Sequence, residues 1–100
     1  MYTIHKYEVQ VKDEVFISMP EGAEILHVDS QLPGRICFWA KVKVTPVIEP
    51  GKCEYAPVYY KLVNRKFVIC GTGQPLPMPL TYIGTVMDAP FVWHVFEKKN

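Results

Sequence analysis

The chain has 100 residues, of which 49% are hydrophobic and 21% charged, and its formal net charge is +1. This length favours a single domain with its own core, and the apolar fraction excludes a disordered chain. The balanced charge excludes a strongly basic DNA-binding protein, and no apolar run approaches the roughly 20 residues that cross a bilayer. We expect one domain over residues 1–100, located in the cytoplasm because no secretion signal opens the sequence.

The first half of the sequence predicts short strands. Nine prolines and six glycines interrupt the whole chain at short intervals, which excludes a long helix. Alternation of polar and apolar residues predicts a strand over 2–11, and β-branched and aromatic runs predict strands over 14–18 and 24–29. Turns are predicted at 19–22 and at Pro33 and Gly34. The longest strand is predicted over 35–44, with its even-numbered side chains on one face.

The second half predicts further strands and more loop. Residues 45–57 contain three prolines and are predicted as a long loop or an excursion, and residues 43–62 as a loop-rich excursion. Strands are expected over 58–62 and 66–70 with a hairpin turn between them, and over 80–87 and 91–97, with a solvated tail at 98–100. About seven short strands at this spacing predict an all-β fold, either a small sandwich or a partly open barrel. The predicted core comprises Leu26, Val28, Ile36, Phe38, Ala40, Phe67, Ile69, Ile83, Phe91, Trp93 and Val95.

The residue types that carry catalysis or bind metals are scattered. The three histidines fall on different predicted strands, and the three cysteines have no ligand spacing, so we expect neither a metal nor a cofactor. Cys37 and Cys70 lie in apolar runs and are predicted to be core thiols. No nucleophile elbow and no pair of carboxylates is recognisable, and we therefore expect a protein that is not an enzyme.

The turn at Gly71, Thr72, Gly73 and Gln74 is the most distinctive local feature. It directly follows a predicted strand, and its backbone N–H groups are suited to hold a phosphate, although a simple tight turn between strands has the same pattern. Four tyrosines lie near predicted loops, where such rings either contact ligands and subunits or complete the edge of a core. These are Tyr55, Tyr59, Tyr60 and Tyr82.

Several strings, in this order, resemble a large family of small bacteriophage and prophage proteins. They are AEILHV at 23–28, FWA at 38–40, GTG at 71–73, YIGT at 82–85 and FVWHVFE at 91–97. The last string is the most specific, and the resemblance covers nearly the whole chain. Many relatives have histidine where this chain has Gln74, and residues 43–62 diverge.

The resemblance implies a phage protein acting in the host cytoplasm. Some small phage proteins evade immunity by sequestering the cyclic nucleotide signals of bacterial defence systems such as CBASS. We therefore expect a protein that binds a cyclic dinucleotide without cleaving it. The alternative is a protein-interaction module, either a structural accessory of the phage or an inhibitor of a host protein.

The expected binding site lies near residues 71–74, at an interface within a homodimer or a homotetramer. Backbone N–H groups of the turn would meet phosphate, and a nearby cation would add a charge-assisted contact. An aromatic ring would stack on a base, and polar side chains would contact the edge of that base. The expected site residues are Gly71, Thr72, Gly73, Gln74, Arg65, Lys66, Trp39, Tyr82 and His94.

Overall fold

A computed structural model describes residues 1–49, 52–57 and 61–99, and it describes the side chains of 1–44 and 61–99. Every element in these ranges is a strand, which confirms the all-β prediction. The strands are β1 (Tyr2–Gln10), β2 (Glu14–Pro20), β3 (Glu24–Asp29), β4 (Arg35–Glu49), β5 (Lys52–Pro57), β6 (Leu62–Gly71), β7 (Thr81–Asp88) and β8 (Phe91–Lys98).

The strands form two antiparallel sheets that pack face to face as a small sandwich. Sheet A has the strand order β1-β4-β3, with β5 paired to β4, and sheet B has the order β2-β6-β8-β7. Phe38 of β4 and Phe67 of β6 meet between the sheets, with their ring centroids 4.8 Å apart. Their burial excludes water from the centre of the sandwich, and burial of this kind is the main favourable contribution to folding.

Alternation along the strands places one set of side chains in this core. The five even-numbered residues of β4 from Ile36 to Val44, predicted to share one face, are all buried, including the predicted core residues Ile36, Phe38 and Ala40. Ile83 and Trp93 are partly buried against the core, and Cys37 and Cys70 are buried free thiols, as predicted. The other predicted core residues that are buried are Val28, Phe67, Ile69 and Val95.

Of the two alternatives predicted for residues 45–57, the loop is wrong, because residues 45–49 and 52–57 form strands. β4 continues to Glu49 and pairs with β5 from Val44 opposite Pro57 to Glu49 opposite Lys52. Beyond Lys43 the strand no longer pairs with β1, so proline, which lacks a donor for the ladder, is tolerated there. The side chains of Cys53, Tyr55, Tyr59 and Tyr60 lie outside the part of the chain that is described.

The predicted hairpin turn at 63–65 is also wrong. β6 runs without a break from Leu62 to Gly71, and Asn64 pairs with Ser18 of β2. A turn residue such as asparagine is accommodated in the ladder because β2 supplies a partner strand along this segment. The strand predicted over 58–62 lies mostly outside the described residues, and Lys98, predicted in the tail, belongs to β8.

Each sheet contains a β-bulge, and the bulge in β3 explains why simple alternation fails at Leu26. The register of β3 against β4 shifts between Ile25 and His27, so Leu26 has no direct partner and is 47% exposed. The register of β7 against β8 shifts in the same way between Tyr82 and Gly84.

Phe91 was also wrongly predicted as core. It lies beside the β7–β8 turn, stacks on Trp93 and stays 55% exposed.

The two sheets approach each other most closely where β7 passes β3. A Cβ atom at Gly84 would lie 2.6 Å from Cγ2 of Val28, so a side chain at this position requires the strands to separate. Asp88, at the end of β7, adds a polar contact across the sandwich. Its carboxylate accepts hydrogen bonds from the Gly34 backbone N–H at 3.0 Å and from the Trp93 indole N–H at 3.3 Å.

A nearly buried ion pair connects Arg65 of β6 with Glu97 of β8. Nε and Nη2 of Arg65 donate to the two carboxylate oxygens of Glu97 at 2.6 and 2.7 Å, and Nη1 donates to the Ala23 carbonyl. Glu97 is 6% exposed, and the bidentate geometry compensates for much of the cost of removing both charges from water.

We expect Gly84→Ala to destabilise the protein by roughly 1–3 kcal/mol, because the new methyl group overlaps Val28. In a Val28→Ala background the same substitution should cost much less, since the overlapping methyl groups are absent. Urea unfolding of the unmodified protein, the two single variants and the double variant measures this coupling. Gly71→Ala is the control, because its Cβ would meet only ordinary contacts of 3.5 Å or more. Additive effects of Gly84→Ala and Val28→Ala would contradict the steric account.

We expect Arg65→Met or Glu97→Leu to cost about 3–5 kcal/mol each, because each leaves one charge buried without its partner. The double variant should be more stable than either single variant, since neither charge remains. The exposed pair of Lys41 and Glu24, at 3.0 Å, is the matched control and should contribute no more than about 1 kcal/mol. A double variant less stable than both single variants, in the same urea assay, would refute this prediction.

Candidate functional site

The outer face of sheet B carries three rows of side chains that continue across β6 and β8. Alternate residues of a strand share a face, and these residues lie opposite one another in the register of the two strands. The paired residues are Cys70 and His94, then Val68 and Phe96, then Lys66 and Lys98. Along β8 from His94 to Lys98, the outer face therefore begins with an imidazole, continues with aromatic and apolar side chains and ends with lysines.

The turn after β6 closes the polar end of this face. The Gln74 backbone N–H donates to the Gly71 carbonyl at 3.2 Å, and Gly73 has a φ of 90°, as the third residue of a type II turn requires. The Gly71 N–H donates to Oε1 of the Gln74 side chain at 2.6 Å. This N–H is therefore already satisfied and does not face a phosphate, contrary to the expectation from the sequence.

His94 is held by both of its ring nitrogens. Oγ1 of Thr72 lies 2.8 Å from Nε2, and Oγ1 of Thr85 lies 3.1 Å from Nδ1. The hydroxyl of Tyr82 lies 2.6 Å from Oγ1 of Thr85 and extends the chain of hydrogen bonds. Because a hydroxyl either donates or accepts, a neutral imidazole satisfies both threonines. The network fixes the orientation of the Thr72 hydroxyl at the turn.

The bulge in β7 makes this network possible. Tyr82 and Thr85 are three residues apart, which in a regular strand would place their side chains on opposite faces. The register shift at the bulge puts Tyr82 opposite Phe96 and Thr85 opposite His94, so both reach the outer face. Sequence analysis included Tyr82 and His94 but missed Thr85, because no local pattern reveals the bulge.

A cavity of about 260 Å³ lies beneath the turn. Its polar side chains are those of Thr72, Gln74 and His94, and its apolar walls include Leu76 and Phe96. A second cavity of about 360 Å³ shares Cys70 and Gln74 with the first and extends under the proline-rich loop. The complete lining of the first cavity is Cys70, Gly71, Thr72, Gly73, Gln74, Leu76, His94 and Phe96.

The Cys70 thiol in this cavity is not activated. Burial raises the pKa of Cys70 above its ordinary value, and the negative charge of Asp13 raises it further. A raised pKa keeps the group in its protonated form at neutral pH, whereas the thiolate is the form that acts as a nucleophile. Cys70 therefore contributes apolar lining rather than reactivity.

The structure brings together only some of the residues predicted for the site. Gly71, Thr72, Gly73 and Gln74 form the turn, and His94 and Tyr82 reach it through the hydrogen-bonded network. Leu76 and Phe96, which line the cavity, were not identified because they belong to an unremarkable loop and an apolar strand.

The predicted cations and one predicted aromatic residue lie elsewhere. Lys66 is five residues from Gly71 along β6, which is about 17 Å, and Arg65 is committed to its ion pair with Glu97. Trp39 lies on the outer face of sheet A, where its ring is 5.7 Å from that of His27, and Lys6 lies over it. Within one chain, Trp39 is therefore on the far side of the sandwich from the turn.

Neither a metal site nor a membrane-spanning helix is present in the part of the chain that is described. No three histidine, cysteine, aspartate or glutamate side chains there come together in a way that would hold a metal ion. The same residues include no helix with the length and hydrophobicity needed to cross a membrane.

Comparison with known proteins gives a family but no activity. No curated protein and no solved structure matches the chain. A family model described as a domain of unknown function, DUF7352, matches residues 1–100. The chain belongs to the DUF7352 family.

Proposed function

We propose that this protein binds a nucleotide on the outer face of sheet B and sequesters it without changing it chemically. The observation that carries the proposal is the network in which His94 orients the Thr72 hydroxyl over a cavity walled by Phe96. A fixed polar group beside an aromatic surface is the arrangement that recognises the edge and the face of a base.

The cavity suits the base of a nucleotide better than the phosphate. No lysine or arginine is among its lining residues, whereas the Thr72 hydroxyl and the Gln74 amide group can both bond to polar atoms of a base. The ring of Phe96, supported by Tyr82 at 5.6 Å, offers a surface for stacking. The volume of the cavity, about 260 Å³, lies just below the range of about 300–1,000 Å³ for pockets that hold larger ligands. The sugar and phosphate would therefore remain outside the cavity.

The chemistry of the lining favours binding over turnover. Hydrolysis of a phosphodiester requires a general base, a metal ion or an activated nucleophile. The residues around the cavity include no carboxylate, both ring nitrogens of His94 are hydrogen-bonded to threonine hydroxyls, and the pKa of the Cys70 thiol is raised. Together with the resemblance to phage proteins, this supports a role in the host cytoplasm as a sponge for a cyclic dinucleotide signal.

A protein-interaction module is the second candidate, and a specific observation favours it. The same outer face carries the rings of Phe16 and Tyr82, each 58% exposed, and Met78 in the loop between β6 and β7 is 69% exposed. Aromatic residues and methionine are enriched at protein interfaces. A structural accessory of the phage or an inhibitor of a host protein would use this surface directly.

Calorimetry with a panel of cyclic dinucleotides and mononucleotides tests the nucleotide proposal. We expect at least one to bind more tightly than about 10 μM, which corresponds to about −7 kcal/mol. Denaturing the complex should release the nucleotide intact. Binding weaker than this across the panel favours the interaction module, and recovery of a cleaved product would show an enzyme.

Thr72→Val should weaken nucleotide binding by about tenfold, because it removes the hydroxyl but keeps the shape of the side chain. Thr3→Val, which removes a half-buried hydroxyl from sheet A, is the matched control and should leave affinity unchanged. Calorimetry on both variants measures the effect. Equal affinities for Thr72→Val and the unmodified protein would remove Thr72 from the site.

We also propose that the protein forms a homodimer or a homotetramer. β1 and β2 are edge strands of their sheets, and pairing of such edges between subunits is a common way to protect them. A second subunit would also cover the part of the nucleotide that the cavity leaves exposed. Light scattering at tens of micromolar should return a multiple of the monomer mass, and a monomer mass would refute this proposal.

A further inference from the structure

We infer that Lys66 and Lys98 form a phosphate subsite, so that the nucleotide lies along β8 with its base towards His94 and its phosphate towards Lys98. This inference rests on the proposed function and adds to it the orientation of the ligand and the residues that hold its charge. It moves the phosphate away from the turn at residues 71–74, where the sequence alone would place it.

The two lysines form a like-charged pair across neighbouring strands. Lys66 of β6 lies directly opposite Lys98 of β8, and such partners have Cβ atoms about 4.5–5.5 Å apart. Like charges in this arrangement repel each other and destabilise the pairing. Nζ of Lys66 is directed towards Glu14 and Phe16 of β2, so an anion that contacts both lysines draws it towards β8, and the charge of the anion offsets the repulsion of the pair.

Carboxylates neutralise this pair only in part. Nζ of Lys66 lies 3.0 Å from Oε2 of Glu14, whereas Lys98 has no ion-pair partner among the residues that the structure describes. Arg65 and Glu97 lie next to the lysines on the inner face, but they neutralise each other. The lysine pair with Glu14 therefore keeps a net positive charge of about one.

The structure holds the Lys66 ammonium group close to the sheet. Its side chain is only 22% exposed, and Nζ lies 5.8 Å from the centroid of the Phe16 ring. A cavity of about 360 Å³ at this end of the sandwich is lined by Lys66, Lys98 and Lys99 and also by Ala23, Arg65 and Glu97, so it lies beside the buried ion pair. A restrained ammonium group loses less conformational entropy on binding than a fully mobile one.

The spacing along β8 matches one ligand that reaches from ring to phosphate. Phe96 is two residues from Lys98 and two from His94, which is about 7 Å in each direction on the same face. This spacing is comparable to the reach from a purine ring to its 5′-phosphate. A base stacked on Phe96 would thus place its edge near Thr72 and His94 and its phosphate near the lysines.

The turn has fewer groups that could bind a phosphate than the lysine pair has. The Gly71 N–H is bound to Gln74, and only the N–H groups of Thr72 and Gly73 remain for a ligand. No cation lines the cavity beneath the turn. Charge-assisted hydrogen bonds from lysine to phosphate are about twice as strong as neutral ones, so the lysines are the stronger phosphate site.

Calorimetry with two probes separates the phosphate subsite from the base subsite. The probes are the tightest-binding nucleotide of the panel and inorganic tripolyphosphate, which has no base. Lys66→Gln and Lys98→Gln should each weaken both probes by about tenfold and reduce the dependence of affinity on salt. Thr72→Val should weaken the nucleotide alone and leave tripolyphosphate binding unchanged.

Lys41→Gln is the matched control. Lys41 also lies 3.0 Å from a glutamate, Glu24, but on the outer face of sheet A. The Lys41→Gln substitution should therefore leave the affinity of the protein for both probes unchanged. Thermal unfolding of each variant establishes that the fold is retained.

Each result decides for or against the inference. Nucleotide binding that is equally tight in the Lys66→Gln/Lys98→Gln double variant overturns the phosphate subsite and leaves the proposed function intact. If no nucleotide binds, the proposed function fails. In that case, if tripolyphosphate binds the unmodified protein and the double variant abolishes this binding, the lysine pair is supported as an anion site. If tripolyphosphate does not bind the unmodified protein, the lysine pair is not an anion site and the inference is overturned.

Discussion

The contact between β7 and β3 is the constraint on which the rest of the structure depends. Gly84 lets β7 lie against Val28, and the absence of a side chain there brings the edges of the two sheets together. Each of these strands carries a β-bulge near the contact, at Leu26 in β3 and at Ile83 in β7. The bulge in β7 then puts Thr85 on the outer face beside His94. A packing requirement in the core is thereby linked to the geometry of a surface site.

The charges of sheet B divide into an inner and an outer set with different tasks. On the inner face, Arg65 and Glu97 neutralise each other and tie β6, β8 and the carbonyl of Ala23 together. On the outer face, Lys66 and Lys98 remain accessible, with Glu14 as one nearby carboxylate. Adjacent residues of one strand therefore serve the core and the candidate site, because successive side chains point to opposite faces.

The errors of sequence reasoning have specific physical causes. Alternation located the core face of β4 from Ile36 to Val44 correctly, because this strand is regular and has a neighbour on each side. It failed at Leu26, where the bulge shifts the register by one residue. The prolines at 46 and 57 suggested a loop, yet proline fits a ribbon that has left the sheet. Arg65 resembled a free surface cation, but its partner Glu97 is 32 positions away in the sequence.

The sequence by itself determined the all-β class, the central strands, the buried thiols and the turn at Gly71–Gln74. Each of these depends on local periodicity, on apolar runs or on the conformational freedom of glycine, which neighbouring residues reveal. Only the tertiary structure decided which side chains meet. Thr72, Thr85 and His94 come from three separate segments, and Trp39 and Lys66, which the sequence also offered, lie away from the turn. Strand order, bulges and sheet packing determine such neighbours, and these arise from long-range contacts that no local pattern encodes.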